Sequence, residues 1–393
     1  MEEQKEETQN SKPDYNALAL EMHEKLKGKL EVISKKKLET KDDLSTAYTP
    51  GVAEPCRKIH ENPEDVYKYT IKGNTVAVIS DGSAVLGLGN IGPEASMPVM
   101  EGKAVLFKEF ADIDAFPICV AEQNIQKTID TVKNIAPVFG GINLEDIKAP
   151  ECFEIEAALQ DLGIPVMHDD QHGTAVVTLA GLINALKVSG KNKEDVKVVI
   201  SGTGAAGVAV AKLMLKYGFK NIVMTDSKGI VYKERGDLNP VKQEMATITN
   251  HDLIKGDLSE ALKGSDIFIG VSMPGIVNED MIKSMNEKPI VFALSNPIPE
   301  IMPDLAKNAG AQIVATGRSD FPNQVNNVLA FPGVFRGALD IRAKRITDEM
   351  KLAAAEALAG AIENPTIDEI LPYSLDKSVV PKIAEAVKKA YRE

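Results

Sequence analysis

Two pairs of adjacent carboxylates stand out in otherwise apolar stretches of the sequence. Glu145 and Asp146 lie in GGINLEDI, and Asp169 and Asp170 lie in MHDDQHGTA. Carboxylate oxygens are hard ligands that suit Mg²⁺ or Mn²⁺, and three of them would leave coordination positions for a substrate and a water. Solvated loops also carry such pairs, so this pattern alone leaves both a metal site and two surface loops open.

Two histidines flank the second carboxylate pair. His168 and His172 are four residues apart, a spacing that suits zinc, but no other His or Cys motif supports a zinc site. A structural or hydrogen-bonding role is therefore the preferred interpretation of both histidines.

Lys103 lies among apolar residues. On a helix, the neighbours that share its face are Val99, Met100, Leu106, Phe107 and Phe110. Burial removes solvation from an ammonium group, which lowers its pKa and makes the lysine a usable base. The alternative is a lysine whose stem packs on the core while its charge reaches solvent. The pattern does not decide between the two interpretations.

A glycine-rich turn indicates a dinucleotide site. The segment VVISGTGAAGVAVAKLMLKYG contains Gly202, Gly204, Ala205, Ala206 and Gly207 in the pattern GxGxxG. The turn follows a predicted strand and opens a predicted helix, as the dinucleotide fingerprint requires. Gly202 permits the tight turn, Gly204 lets a pyrophosphate approach the backbone, and Gly207 allows close packing of the helix on the strand. The alternative is a tight turn with no ligand.

An acidic residue follows the turn at the expected distance. Asp226 ends the next predicted strand, 19 residues after Gly207. A carboxylate there binds the adenosine ribose hydroxyls and repels a 2′-phosphate. Lys228 lies two residues further on and would attract that phosphate. The sequence therefore favours NAD over NADP, with NADP as the alternative.

The elements that must position these residues alternate between strand and helix. In the second half, the buried-strand candidates are 196–201, 222–226, 266–272, 289–296 and 313–317. This alternation indicates an α/β fold with a parallel, doubly wound sheet. In the first half, Thr75–Ser80 is predicted to be a strand that Asp81-Gly82 turns into a hairpin with 84–88. Ala-rich helices at 346–361 and 381–391 are predicted to pack back on the body.

Composition excludes several classes of protein. The chain has 393 residues, of which 44% are hydrophobic and 26% charged, and its formal net charge is −12. This acidity disfavours a nucleic-acid partner, and no apolar run approaches the ~18 residues of a membrane span. Three widely spaced cysteines and an acidic N-terminal segment without an apolar core predict a cytoplasmic protein. Twofold symmetry is common in such oligomers, so a homodimer is expected.

Several motifs, in the same order, resemble those of the malic enzymes in their short bacterial form. The matching stretches are AYTPGVA (47–53), SDGSAVLGLGNIGP (80–93), MPVMEGKA (97–104), GGINLEDI (140–147), HDDQHGTA (168–175), GTGAAG (202–207), ALSNP (293–297) and NQVNN (323–327). The composition of the first residues predicts a flexible tail (1–13). The resemblance implies an N-terminal α/β catalytic domain (14–165) and a Rossmann-like NAD-binding domain with the C-terminal helices (166–393). It implies oxidative decarboxylation of L-malate to pyruvate and CO₂ with NAD and Mg²⁺ or Mn²⁺.

The resemblance also implies roles for the residues at matching positions. Tyr48 resembles the general acid and Lys103 the general base, and Asp169 resembles the partner that orients Lys103. The residues that resemble the metal ligands are Glu145, Asp146 and Asp170. With these residues present, oxaloacetate decarboxylation is expected as a partial activity.

Two asparagines resemble contacts to substrate or nicotinamide, and one expected contact is missing. Asn296 and Asn327 occupy these positions, and Asn296 also ends a predicted strand, where ligands bind in an open α/β sheet. Larger malic enzymes carry a malate-binding arginine where this chain has Ala84. The alternatives to a malic enzyme are a malolactic-type lyase, which keeps NAD bound and releases lactate, and an NAD-binding sensor without catalysis.

Overall fold

The computed structural model of the protein describes residues 14–85 and 87–392, and the predicted tail at 1–13 lies outside this part. The strands of the first half are β1 (Thr75–Ser80), β2 (Asp114–Cys119), β3 (Gly141–Leu144) and β4 (Val166–His168). The helices of the first half are α1 (Tyr15–Leu26), α2 (Lys41–Ala47), α3 (Ala53–Glu61), α4 (Val66–Tyr69), α5 (Pro93–Ala111), α6 (Ile125–Ile135) and α7 (Glu151–Leu159).

The second half has the same alternation of strand and helix. Its strands are β5 (Lys197–Ser201), β6 (Asn221–Asp226), β7 (Gly229–Ile230), β8 (Ile267–Gly270), β9 (Ile290–Ala293) and β10 (Ile313–Thr316). Its helices are α8 (Asp169–Ser189), α9 (Ala205–Tyr217), α10 (Pro240–Ile248), α11 (Leu258–Leu262), α12 (Glu279–Lys283), α13 (Pro303–Asn308), α14 (Phe331–Asp340), α15 (Asp348–Ala359) and α16 (Val379–Ala390). None of the described helices is long and apolar enough to cross a membrane.

The first sheet has the order β2-β1-β3-β4, and all of its pairs are parallel. Every residue of β1 is buried, as the apolar run TVAVIS suggests for a central strand. The predicted hairpin after β1 is wrong. Because β2 and β3 occupy both edges of β1, no edge is left for a returning strand, and Asp81-Gly82 leads into a loop instead.

The second sheet has the order β10-β9-β8-β5-β6-β7. Its pairs are parallel except for the short β7, which runs antiparallel to β6. The predicted doubly wound α/β architecture is therefore confirmed. The strand order reverses between β5 and β8, and the carboxyl ends of the strands at such a point form a ligand-binding crevice.

The strand β4 belongs to the first sheet, because Val166 and His168 pair with residues of β3. This strand lies just after the predicted boundary at residue 165, although it pairs with the first sheet, and the boundary stays a prediction. The next residue after β4 already begins α8, so the chain passes from the first sheet directly into a helix of the second half.

The predicted C-terminal helices, α15 and α16, pack on the body through α8 and α14, and α14 in turn contacts the first half. Phe331 and Phe335 of α14 stack edge-to-face on Phe107 of α5, with ring centroids 4.8 and 5.3 Å apart. All three rings are fully buried in one core that includes side chains from both sheets. This packing places the face of α5 that carries Lys103 between the two halves of the molecule.

Candidate functional site

Lys103 lies on the buried face of α5, where it is 7% exposed. Its Nζ donates a hydrogen bond to Asp169 Oδ2 at 2.7 Å and lies 3.0 Å from Glu145 Oε1. The ammonium group also lies 4.4 Å from the centroid of the Phe331 ring. The interpretation of a lysine that reaches solvent is therefore wrong, and Lys103 is a buried cation held by carboxylates.

The predicted lowering of the Lys103 pKa is also wrong. Burial alone lowers this pKa, but the negative charges of Asp169 and Glu145 outweigh burial and hold it above its ordinary value. The apolar neighbours expected from the sequence are present, yet they do not decide the pKa, because carboxylates from β3 and α8 reach the same ammonium group.

Three carboxylates converge beside Lys103. Glu145, Asp146 and Asp170 each present one oxygen, and these oxygens lie within 4.8 Å of one another. Glu145 and Asp146 follow β3, whereas Asp170 lies in the first turn of α8, directly after β4. Because β3 and β4 are adjacent and parallel, their carboxyl ends meet at one edge of the sheet, and the Asp146 N–H donates to Asp170 Oδ2 at 2.8 Å.

This cluster holds more negative charge than Lys103 can balance. Burial raises the pKa of Glu145 and of Asp169 to about 7 and that of Asp170 to about 6, even with Lys103 nearby. Convergent, buried carboxylates that resist ionisation fit a divalent cation, whose charge would stabilise their ionised forms. The donor set therefore suits Mg²⁺ or Mn²⁺, and the interpretation as two solvated loops is wrong.

The two histidines lie beside this cluster and contact buried carboxylates. His168 is fully buried, its Nε2 lies 3.5 Å from Asp170 Oδ2, and burial lowers its pKa to about 4. His172 contacts Glu156, which also accepts hydrogen bonds from the His168 N–H and from Gln171. Within the described residues, the group with metal-site geometry contains no histidine. The His172 ring has the expected hydrogen-bonding role. Among the residues that the structure describes, neither ring nitrogen of His168 has a hydrogen-bond partner, so its burial agrees with the structural role instead.

Asn327 contacts Asp169 in this structure. Its amide donates to Asp169 Oδ2 at 2.6 Å, so one carboxylate oxygen accepts from both Lys103 and Asn327. Asn327 begins a short 3₁₀ turn just before α14. The predicted contact to substrate or nicotinamide stays a prediction, and the observed contact fixes the carboxylate that holds Lys103.

Asn296 lies where the two halves of the molecule approach each other. It is exposed in the loop after β9, at the carboxyl edge of the second sheet. A Cβ on Gly87, in the loop after β1, would lie 2.7 Å from the Asn296 carbonyl oxygen, and one on Gly317 would lie 2.5 Å from its amide nitrogen. Asn296 therefore occupies the crevice in which a ligand between the sheets would sit.

The structure does not bring Tyr48 into this cluster. Tyr48 follows α2 as its C-cap residue and is 66% exposed. Within the described part of the chain, no side chain contacts Lys103 from the segment that carries Tyr48. The predicted general acid and general base therefore lie in different surroundings.

The glycine-rich turn connects β5 to α9. A Cβ on Gly202 would lie 2.6 Å from the Val271 carbonyl oxygen, and one on Gly207 would lie 2.0 Å from the Gly202 carbonyl oxygen. Both positions therefore require glycine for the turn and for helix packing. Gly204 has open space on its Cβ side and caps α9, so the amino end of this helix, with Ala205 and Ala206, is accessible to a ligand.

Asp226 ends β6 as predicted, but its carboxylate is already engaged. It accepts hydrogen bonds from Arg235 and Lys242 at 2.6 Å each and from the Lys228 backbone N–H at 2.9 Å. Although burial raises the pKa of Asp226, these donors lower it to about 2. The Lys228 ammonium group pairs with Asp237 instead. Sequence patterns did not predict the roles of Arg235 and Lys242, because 227–245 has no clean period.

Two family descriptions match the chain over most of its length. Malic enzyme, N-terminal domain, matches residues 27–127 and 121–160, and Malic enzyme, NAD binding domain, matches residues 171–391. The chain belongs to the malic enzyme family. The resemblance inferred from the sequence motifs is thereby confirmed, together with the α/β fold that it implied.

Similar proteins from this family differ in their named cofactor. The chain is 56% identical over 379 residues to the bifunctional malic/malolactic enzyme of Bacillus subtilis, covering 95% of this chain and 92% of that protein. It is 50% identical to the NADP-dependent malic enzyme of Halomonas elongata, with 95% and 92% covered. The crystal structure of the NAD-dependent malic enzyme of Thermotoga maritima superposes with a TM-score of 0.93, at 53% identity, covering 95% of this chain and 99% of that one.

Proposed function

We propose that this chain oxidatively decarboxylates L-malate to pyruvate and CO₂, reduces a nicotinamide dinucleotide and uses a divalent cation. The observation that carries this proposal is the buried cluster in which three carboxylates converge beside the Lys103–Asp169 pair. When bound, the cation would neutralise these carboxylates and polarise the C2 oxygen of malate, and the dinucleotide would accept the C2 hydride. Glu145, Asp146 and Asp170 would hold the cation.

Lys103 is the proposed base for the C2 hydroxyl of malate. Its Nζ lies in the carboxylate cluster, and Asp169 holds it in place through the 2.7 Å hydrogen bond. Asn327 fixes the same Asp169 oxygen, so the base is positioned by two contacts that need no ligand. Lys103 must be neutral to accept the hydroxyl proton as the C2 carbon is oxidised. A cation bound by the three carboxylates would cancel part of the negative charge that holds the Lys103 pKa high, and so would favour the neutral amine.

Tyr48 is the proposed acid for the second half of the reaction. After the C4 carboxylate leaves as CO₂, the C3 carbon needs a proton, and the Tyr48 hydroxyl is the proposed donor. Decarboxylation uses the same cation ligands as oxidation. We therefore propose oxaloacetate decarboxylation as a partial activity that the protein performs without a net change in the dinucleotide.

NAD is the proposed dinucleotide. The Asp226 carboxylate at the end of β6 disfavours a 2′-phosphate at this position. Arg235 and Lys242 neutralise part of its charge, so we expect a weaker preference than a lone carboxylate would impose. The free state of Cys56, Cys119 and Cys152 suits the proposed cytoplasmic location.

The deciding experiment follows absorbance at the NADH band with malate, Mn²⁺ and each dinucleotide in turn. Formation of NADH together with pyruvate supports the proposal. A second candidate is malolactic activity, which the name of the Bacillus subtilis relative favours, and it would give lactate without net NADH. Binding of dinucleotide without any product from malate would contradict both and support a sensor.

A further inference from the structure

The junction between β4 and α8 carries two residues on which the proposed reaction depends. Asp169 and Asp170 are the first two residues of α8, and the strand ends one residue earlier, at His168. His168 is the N-cap of α8, but its side chain makes no capping hydrogen bond. The first turn of α8 therefore depends on contacts from other elements to fix its position.

Glu156 of α7 supplies such contacts. It is buried, and both oxygens of its carboxylate accept hydrogen bonds. Oε1 accepts from the His168 backbone N–H at 2.9 Å, and Oε2 accepts from the Gln171 side-chain amide at 3.1 Å. His172 Nε2 lies 3.0 Å from Oε2. One carboxylate thus binds three residues at the start of α8.

The partners of Glu156 lie on both sides of the two carboxylates that serve the site. His168 directly precedes Asp169, and Gln171 directly follows Asp170. Glu156 therefore holds the chain before and after this pair. The carboxylates of the pair themselves belong to the cluster beside the proposed base. A shift of the turn would move both of them at once.

The charge of Glu156 matters for these contacts. Burial raises the pKa of Glu156, whereas its contacts with His172 and with the His168 N–H lower it to about 2. The amino end of a helix also carries partial positive charge, which stabilises a carboxylate placed there. An ionised carboxylate accepts with both oxygens, while an amide of the same size accepts with only one. The three donors at the turn therefore need a carboxylate.

The His172 ring connects this arrangement to the C-terminal helix α15. Lys351 of α15 forms an ion pair with Asp348 at 2.6 Å, and its ammonium group donates to His172 Nδ1 at 3.3 Å. A ring that accepts at Nδ1 carries its proton on Nε2, which then donates to Glu156. The orientation of the ring is thus fixed from both sides, and Glu156 receives a donor that is itself held in place.

We propose that Glu156 is a positioning residue for the divalent cation and for the base, an inference that rests on the proposed function. By holding the first turn of α8, Glu156 places Asp170 in the group of proposed cation ligands and Asp169 beside Lys103. It acts through the backbone and the side chains of the turn. Replacement of residues that orient metal ligands typically weakens metal binding by about 10–100-fold.

Binding of Mn²⁺ in the absence of malate and dinucleotide tests this proposal, with the Kd measured by isothermal titration calorimetry. Glu156→Gln keeps the size of the side chain but replaces one accepting oxygen with a donating amide, so at least one donor of the turn loses its acceptor. The Kd for Mn²⁺ should rise by about tenfold or more. An unchanged Kd would overturn the proposal. Wild-type protein that does not bind Mn²⁺ would instead overturn the proposed function.

Two control variants separate positioning from charge and from stability. Glu154→Gln makes the same change of charge at an exposed position of α7 and should keep the wild-type Kd. Asn184, further along α8, donates to the carbonyl oxygens of Ala359 and Ile370. Asn184→Ala should lower the thermal stability but keep the Kd. An equal rise of the Kd in Asn184→Ala and Glu156→Gln would overturn the proposal.

Steady-state kinetics provide a readout that general damage to the fold would not reproduce. At saturating Mn²⁺, kcat of Glu156→Gln should stay below that of wild type, because Asp169 moves with the turn. The KM for the dinucleotide should not change, because the glycine-rich turn follows β5. A rise of this KM as large as that of the Mn²⁺ Kd would overturn the proposal.

A second variant keeps the proposal testable if Glu156→Gln does not fold. Gln171→Met removes one donor to Glu156 and keeps the negative charge, so the protein should fold with the turn held by two contacts instead of three. The Kd for Mn²⁺ should still rise severalfold. A wild-type Kd in folded Gln171→Met would overturn the proposal.

Discussion

Two clusters of charged side chains lie at the carboxyl ends of parallel strands, and they differ in their balance of charge. The cluster after β3 and β4 combines Lys103 with Glu145, Asp146, Asp169 and Asp170. The cluster after β6 combines Asp226 and Asp237 with Arg235, Lys242 and Lys228. The first has one cation for four carboxylates, whereas the second has three cations for two carboxylates.

The pKa values report this difference. In the first cluster, burial raises the pKa of Glu145 and Asp169 to about 7, because one lysine does not compensate for lost solvation. In the second, hydrogen bonds from Arg235 and Lys242 lower the pKa of Asp226 to about 2. A cluster that resists ionisation is suited to a cation, while a cluster that neutralises itself can persist without a ligand. The four predictions that follow test this distinction.

Removal of the divalent cation should have the largest effect. A chelator should abolish malate oxidation, and Mg²⁺ or Mn²⁺ should restore it, because the carboxylates at 145, 146 and 170 are proposed to hold the cation. In wild-type protein, Mn²⁺ at about a hundred times its dissociation constant should add about 2.7 kcal/mol to the free energy of unfolding. Thermal unfolding with and without Mn²⁺ measures this gain.

A pair of isosteric variants tests whether the cation binds at the three carboxylates. Asp170→Asn should lose the stabilisation by Mn²⁺, whereas Asp161→Asn, at an exposed position on the surface, should keep it. Equal stabilisation of both variants would place the cation elsewhere. Full activity after chelation would mean that the three carboxylates have only a structural role.

Loss of the proposed base should have the second largest effect. Lys103→Ala should lower kcat by about 10²–10⁴-fold, the usual contribution of a positioned acid–base group. Lys103→Arg keeps the positive charge but does not release a proton at neutral pH, so it should be nearly as inactive. Fluorescence titration should find dinucleotide binding unchanged in both variants, because the glycine-rich turn lies in the second half. Near-normal turnover of Lys103→Arg would mean that only the charge matters.

The sequence predicted the parts of the fold that depend on local pattern. Buried runs such as Ile290–Ala293 and the turn with Gly202 follow from short-range chemistry, and they lie where expected. The predicted hairpin failed because pairing partners are chosen over long distances, and β1 has parallel neighbours on both edges. The predicted doubly wound sheet was correct because strand and helix alternate along the chain.

The electrostatics of the site depended on contacts that local pattern does not contain. Lys103 has the expected apolar neighbours, but Glu145 and Asp169, from distant segments, set its pKa. Arg235 and Lys242 escaped notice because their pairing with Asp226 follows from the path of an irregular loop. Tyr48 was assigned from its motif, and no motif reveals that its side chain faces solvent in a single chain.

Loss of the contact between Asn327 and Asp169 should have an intermediate effect on kcat. Asn327→Ala removes a hydrogen bond to a charged acceptor, worth about 1.5–3 kcal/mol, so kcat should fall roughly tenfold to a hundredfold. The KM for malate should change little if Asn327 acts only through Asp169. A rise in KM at unchanged kcat would instead support the predicted contact to substrate.

The neighbouring residue provides the control for this variant. Asn326 caps the same 3₁₀ turn through its side chain and does not contact Asp169. Asn326→Ala should therefore lower thermal stability, with a loss on the order of 1 kcal/mol for a cap, but leave kcat close to wild type. Equal losses of kcat in both variants would indicate that the turn as a whole, rather than the Asn327 amide, supports the site.

The smallest expected effect is a change of dinucleotide preference at the self-neutralising cluster. Asp226→Ser removes the carboxylate that Arg235 and Lys242 share, so both cations can attract a 2′-phosphate, although Arg235 keeps its ion pair with Asp237. The ratio of kcat/KM for NAD to that for NADP should fall by about tenfold, since charge-assisted hydrogen bonds are worth at least about 1.5 kcal/mol and 1.4 kcal/mol is tenfold. Arg235→Ala should move the ratio the other way, because Asp226 keeps more of its charge. Asp252→Ser, at an exposed position of the same half, should leave the ratio unchanged. Steady-state measurements with each dinucleotide give this ratio. An unchanged ratio in Asp226→Ser would mean that the cluster only stabilises the loop after β6 and does not influence the choice of cofactor.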